Sequence, residues 1–279
     1  MGLAGQLTKQ QFGFSLPVDA SLYYPLPIVY KDVRMMLFDY LTDAAAAAAL
    51  LPAPLELTDV PGQPNQALVK LLFADYPWTT LGPYREVAQA LVCTFQGKPL
   101  LYAVRLHVTA DTAMAAGREI AGFPKKLGHI EFVEEESFFC HLERPRGLRI
   151  CTAALQPISR ILTIPIPAGA PPKLPPPYNM TVPLPPATGQ PLPLVLPFAS
   201  LRVIPNPVEG SAPSLAQLIT TMWLLESGEI WSATGSCQFT GASNFDPYHK
   251  LPILSAPIDC LLFQGDMQIA ANAQVLQNL

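Results

Sequence analysis

Short apolar runs separated by turn residues dominate the chain, and few stretches repeat with helical spacing. Strands are predicted at Val33–Tyr40, Ala67–Ala74, Val87–Phe95 and Leu100–Val108, the last two joined by the turn Gln96-Gly97-Lys98. The segments Ile130–Glu135, Phe138–Glu143 and Leu148–Leu155 alternate apolar and polar residues and read as a β-meander. Leu215–Trp223, Glu229–Phe239 and Pro257–Phe263 complete the strand set. Leu16–Tyr30, rich in Pro and Tyr, reads as an extended opening segment, and Tyr76–Pro83 as a loop. Two helices are predicted. Thr42-Asp43 caps the alanine run Ala44–Ala49, which continues into Leu50 and Leu51 and is stopped by Pro52 and Pro54. Asp111–Arg118 is the second, with Thr109 or Asp111 as its cap. Met267–Leu279 reads as a short helix or a frayed end. Many short strands with few helices imply an α+β fold, mainly antiparallel β, with a curved sheet.

The sharpest break in composition is Pro165–Pro197, which contains PPPYNM, PLPP and PLPLVLP. Proline at this density excludes a central strand or a helix. The segment is expected to be a polyproline-like arm or an inserted surface loop, lying on protein or standing free. No internal repeat is visible.

Composition narrows the function. The 279 residues are 50% hydrophobic and 14% charged, with a net charge of −4 and no basic run, which argues against a nucleic-acid partner. No apolar run approaches the roughly 20 residues of a membrane span. The first residues, MGLAGQLTKQQFGF, lack the charged region and apolar core of a secretory signal, so a cytoplasmic location is expected. The five cysteines, Cys93, Cys140, Cys151, Cys237 and Cys260, are odd in number and widely spaced. They fit buried thiols in a reducing compartment. None of the four histidines stands at metal-ligand spacing with another His or Cys, and no metal is expected.

The candidate chemistry lies in Gly117–Gly128, GREIAGFPKKLG, where Lys125 and Lys126 stand among Ile120, Phe123, Pro124 and Leu127. An ordinary lysine, with a pKa of about 10.4, is almost wholly protonated at neutral pH. An amine nucleophile therefore needs surroundings that disfavour the ammonium form by roughly 4–5 kcal/mol. Burial or a second cation nearby can supply this. If the stretch is extended, the two side chains point to opposite faces and desolvation dominates. If it is a turn, the ammonium groups are neighbours and repulsion matters more. Two solvated surface lysines would be the bland alternative.

GREIAGFPKKLG resembles the signature of acetoacetate decarboxylase, in which the first lysine of the pair forms a Schiff base. LPAPLEL (Leu51–Leu57), Tyr84-Arg85-Glu86 followed by Gln89-Ala90, LRVIPNPVEGSAP (Leu201–Pro213), GEIWSATGSCQF (Gly228–Phe239) and Leu251-Pro252-Ile253 resemble further family segments in the same order. The resemblance runs from about residue 20 to the C-terminus, apart from the proline-rich insert. It implies one domain over 1–279, with the insert at about 165–197. Its sheet would be cone-like or half-barrel, curved around a hydrophobic cavity, in subunits that associate as a homo-oligomer. It also implies decarboxylation of a small β-keto acid without a cofactor, with Lys125 as nucleophile, Lys126 as charge neighbour or outward-facing support, and Glu86 beside the imine. Arg34 falls within a residue of the family's active-site arginine. The family's second glutamate is missing, since Leu71 and Leu72 occupy its strand. Relatives that keep the lysine catalyse aldol condensation, dehydration or cyclisation of other oxo acids, so those reactions stand as alternatives. A non-catalytic carrier of a hydrophobic ligand is a third.

Overall fold

The computed structural model describes residues 3–164, 194–270 and 273–279. Most of the proline-rich segment expected at 165–197 lies outside the described residues. Its last four residues open a strand.

The strands are β1 (Ile28–Asp43), β2 (Glu56–Leu57), β3 (Gln66–Tyr76), β4 (Trp78–Thr79), β5 (Tyr84–Phe95), β6 (Lys98–Val108) and β7 (Lys125–Leu127). They continue as β8 (His129–Glu134), β9 (Phe138–Glu143), β10 (Arg149–Ile164), β11 (Leu194–Ile204), β12 (Leu215–Phe239), β13 (Asp259–Ile269) and β14 (Gln274–Asn278). All belong to one curved sheet, with main order β11-β6-β5-β3-β1-β13-β12-β10-β9-β8. Pairing is antiparallel except where β6 meets β7 and β11. The sheet curls far enough that β11 pairs along β12 and also touches β6 at Phe198 and Ala199. This is the mainly antiparallel, few-helix fold expected. Among the described residues the α-helices are α1 (Ala44–Ala48) and α2 (Asp111–Glu119).

Strand alternation divides the apolar residues between two cores. On the inner side of the curl, Val33, Met35, Leu72, Ala88 and Leu106 pack with Trp223, Phe263 and residues of α2. On the outer side, Met36, Phe38, Leu71, Val87 and Leu91 pack with Phe132, Cys140 and Leu155 of the meander β8–β10. The meander thus folds back over the sheet, and β5 and β6 carry buried side chains on both faces.

Several elements differ from their expected form. The segments read as two strands at Leu215–Trp223 and Glu229–Phe239 are one strand, β12. The intervening Glu226-Ser227-Gly228 is a bulge, where the register against β13 shifts between Leu225 and Ser227. Gly228, at φ +130°, faces Gly265 across the ladder, and a β-carbon at Gly228 would lie 2.6 Å from the Gly265 Cα. The end read as helix or fray is instead the rest of β13 and then β14, which pairs with Gln217–Thr220 of β12. The Tyr76–Pro83 loop contains β4, paired with Tyr30 and Lys31. Asp43 caps α1 as expected, its side chain accepting from the Ala46 N–H at 2.7 Å. The N-cap of α2 is Ala110, not Thr109 or Asp111. The Thr109 hydroxyl is engaged by the Arg85 N–H at 2.9 Å, and Asp111 lies within the first turn. No helix of the described residues is long and apolar enough to cross a membrane.

Candidate active site

Lys125 and Lys126 lie in β7, so the extended alternative is the one adopted. The segment reaches β7 through a tight return from α2. The Phe123 N–H donates to the Gly117 carbonyl at 2.9 Å. Gly122 has φ +65°, and a β-carbon there would lie 2.7 Å from the Arg202 backbone nitrogen. β7 then runs parallel to β6, with Lys125 beside Leu106 and Lys126 beside His107. Leu106 belongs to the inner core, whereas His107 lies on the other face. The two lysines accordingly diverge.

The side chain of Lys125 enters the inner core and is 3% exposed. Its Nζ lies 2.7 Å from Oε2 of Glu86, whose side chain is 1% exposed. The approach is close but poorly aligned. Neither Glu86 oxygen has a well-formed hydrogen bond among the described residues. The rings of Tyr84 and Phe123 lie 5.5 and 5.8 Å from Nζ, within cation–π range. Gly117 makes room for the chain: a β-carbon there would overlap it, lying 2.8 Å from Cε. Beyond lies a small apolar cavity of about 10 Å³, lined among others by Tyr30, Ala116, Ile120, Phe123 and Ile269. That is space for about one water. Thr221 lines it too, 0% exposed, with its hydroxyl unpartnered among the described residues. Burial pushes Tyr76 and Tyr84 well above the usual phenol range, so both stay protonated.

Leu26 and Ile120 wall this cavity and also line a cleft of about 800 Å³ that opens outward past Tyr23, Glu119 and Arg202. The Lys125 amine thus lies one layer of side chains beneath a surface recess.

Lys126 points to the other face. Its Nζ lies 3.0 Å from Oδ1 of Asp246 and also donates to the Phe245 carbonyl. The same Asp246 oxygen takes Arg144 Nη1 at 2.9 Å and His107 Nε2 at 3.0 Å. Burial acts to raise the Asp246 pKa, but Lys126 and His107 outweigh it and hold the carboxyl below its usual range. Burial pushes His107 down to about 4 against the pull of Asp246, so the ring is neutral at physiological pH. Its Nδ1 lies 3.0 Å from the Tyr248 hydroxyl. This network clamps β7 and β6 to the loop around Asp246.

Of the expected site residues, Lys125 and Glu86 are brought together, and Lys126 lies on the opposite face, paired with Asp246. Arg34 is not brought to them. It shares the strand face of Met36, and its guanidinium pairs with Asp32 at 2.6 Å and Glu134 at 3.1 Å. On the strand where the resemblance would place a second acid, Leu72 is buried in the inner core and Leu71 in the outer one. The thiols offer no alternative nucleophile, since burial pushes Cys93 and Cys237 up to about 12 and Cys260 to about 11. Sequence reasoning missed Asp246, His107 and Thr221. Only Thr220-Thr221, a polar break in the apolar run Leu218–Leu225, left a mark in the pattern.

Residues 15–278 match the acetoacetate decarboxylase family. The decarboxylase DEC1 of Cochliobolus heterostrophus is 27% identical over 264 residues, covering 91% of each chain. The solved acetoacetate decarboxylase of Legionella pneumophila superposes with a TM-score of 0.74 at 22% identity, over 99% of this chain and 98% of the other. The enduracididine biosynthesis enzyme MppR, complexed with pyruvate, superposes at 0.68 and 19% identity over 99% of both chains. At those identities the two structures speak to the fold, and the family match to membership. The chain belongs to the acetoacetate decarboxylase family of carbon–carbon lyases.

Proposed function

We propose that this chain decarboxylates a β-keto acid through an imine on Lys125. The observation that carries the reading is a lysine amine withdrawn from water, at the wall of an apolar cavity, 2.7 Å from a buried carboxylate. Moving one proton from the ammonium to Glu86 leaves a neutral amine and a neutral acid, which removes two buried charges together.

The Nζ lone pair attacks the ketone carbon, and the carbonyl π pair moves to oxygen. Two proton transfers, with Glu86 as carrier, convert that oxygen to water, which leaves as the iminium forms. The electron pair of the bond to the carboxylate then shifts into the iminium, releasing carbon dioxide and an enamine. Protonation of the enamine carbon and hydrolysis return ketone and amine. Apolar walls suit the decarboxylation, because the carboxylate charge disperses as the bond breaks.

A second reading, condensation or dehydration of another oxo acid on the same imine, is favoured by the apolar Leu71 and Leu72 on β3, which reduce the acids available to protonate an enamine. We further propose one domain over 1–279, in a homo-oligomer acting on a small keto acid, with Lys126 as support for β7. The five buried thiols suit a reducing, cytoplasmic setting. Product analysis distinguishes the reactions. Carbon dioxide and ketone from acetoacetate or a longer 3-oxo acid support the first reading. Condensation products from pyruvate and an aldehyde, without gas release, support the second. No turnover of any oxo acid refutes both and leaves a ligand-binding relative.

A further inference from the structure

The cavity at Lys125 contains a polar group that the reaction above does not use. Thr221 lies on β12 opposite Phe198 of β11, on the same strand face as Trp223 and Leu225 of the inner core. The residue is fully buried, and its hydroxyl has no hydrogen-bond partner among the described residues. Yet it lines the same cavity as Lys125. An unpaired buried hydroxyl costs stability, and a valine of the same shape would avoid that cost. Its cavity neighbours Leu26, Ile28, Leu81, Ile120 and Ile269 are apolar.

Resting on the Schiff-base reading, we propose that the Thr221 hydroxyl holds the ketone oxygen of the substrate while Lys125 attacks. As the C–N bond forms, the carbonyl π pair passes to that oxygen, and the growing negative charge strengthens the hydrogen bond from Thr221. The oxygen takes its proton from the amine by way of Glu86, becomes the carbinolamine hydroxyl, and leaves as water after a second protonation. Thr221 keeps its own proton throughout. A neutral donor suits the site better than a cation. A cation would also bind the carboxylate tightly and hold back decarboxylation, whereas a hydroxyl orients one oxygen and adds no charge. The cavity beside Lys125 and Thr221 has space for about one water-sized group, and that is where the ketone oxygen enters.

The test uses the full chain with acetoacetate, 3-oxohexanoate and pyruvate as probes. Samples are quenched with borohydride over time and the mass of the reduced adduct is followed. Thr221→Val should keep the melting temperature or raise it, while imine formation slows about 100-fold, as for loss of one oxyanion-holding donor. Thr221→Ser should restore most of the rate. An unchanged imine rate in Thr221→Val overturns the assignment while leaving the Lys125 imine standing. So does a fall in rate accompanied by a lower melting temperature and not rescued by serine. Absence of any adduct in the unaltered chain overturns the Schiff-base reading itself, and this inference with it.

Discussion

Glu86 and Lys125 meet because both are registered on strand β6. Glu86 lies across from Val108 and Lys125 beside Leu106, two residues apart on one strand face. Antiparallel pairing on one side of β6 and parallel pairing on the other bring a carboxylate and an amine to within 2.7 Å of each other. No loop is involved, so the pair is held by the sheet itself.

Replacing Glu86 separates proton transfer from burial. Glu86→Gln keeps the volume but cannot carry a proton, and turnover should fall at least about 100-fold, the scale of a lost general acid–base group. Glu86→Leu removes the partner of a buried amine. Where the amine is charged in the resting protein, breaking the pair costs about 3–5 kcal/mol. Steady-state kinetics and urea unfolding of both variants measure the two effects. Wild-type turnover in Glu86→Gln would remove the carboxyl from the mechanism.

The two lysines should behave unequally. Lys125→Ala should abolish turnover. Lys126→Ala loosens the clamp at Asp246, which Arg144 and His107 still hold, and should slow turnover by less than about 100-fold, the cost of roughly an ångström of misplacement. Equal and total loss in both variants would contradict the roles assigned to the two faces of β7.

Gly117→Ala is a change in a helix that propensity alone would favour by up to about 1 kcal/mol. Here the added carbon would overlap the Lys125 side chain. The variant is expected to fold, with an overpacking cost of about 1–3 kcal/mol, and to lose most of its kcat because the amine is displaced. Circular dichroism with kinetics tests this. Full activity would show that the Lys125 chain has room to spare.

Acid should destabilise the fold through His107. Burial lowers its pKa to about 4, below the ordinary value of 6.5, so the native state favours the neutral ring. The contribution is complete above about pH 6.5 and is lost as pH falls toward 4, on the order of 3 kcal/mol in all. Melting temperature against pH should decline across that window, and less steeply in His107→Gln. Parallel curves would place the acid sensitivity elsewhere.

The site's centre was legible because it is local. GREIAGFPKKLG lies in one stretch, and Glu86 came with a neighbouring family segment. What sequence could not decide was whether Lys125-Lys126 is strand or turn, since that depends on a parallel pairing with β6, whose partner residues lie about twenty positions away. Asp246 and His107 stayed hidden for the same reason: their meaning comes from Lys126 and Arg144, brought together across the fold. Strand β11 was masked by proline. Pro197 is tolerated because β6 pairs only with Phe198 and Ala199, leaving Pro197 on an edge of the strand. β14 was misread because its few residues pair with distant β12. Arg34 shows the limit of transfer by resemblance, since a shift of one residue along a strand moves a side chain to the opposite face.

The most direct test of the account is to trap the imine and map it. The protein is incubated with a 3-oxo acid, reduced with borohydride, digested, and the modified peptide sequenced by mass spectrometry. A single reduced adduct on Lys125, absent in Lys125→Ala and kept in Lys126→Ala, is the expected result. An adduct on Lys126, or no adduct on either lysine with any oxo acid, would contradict it.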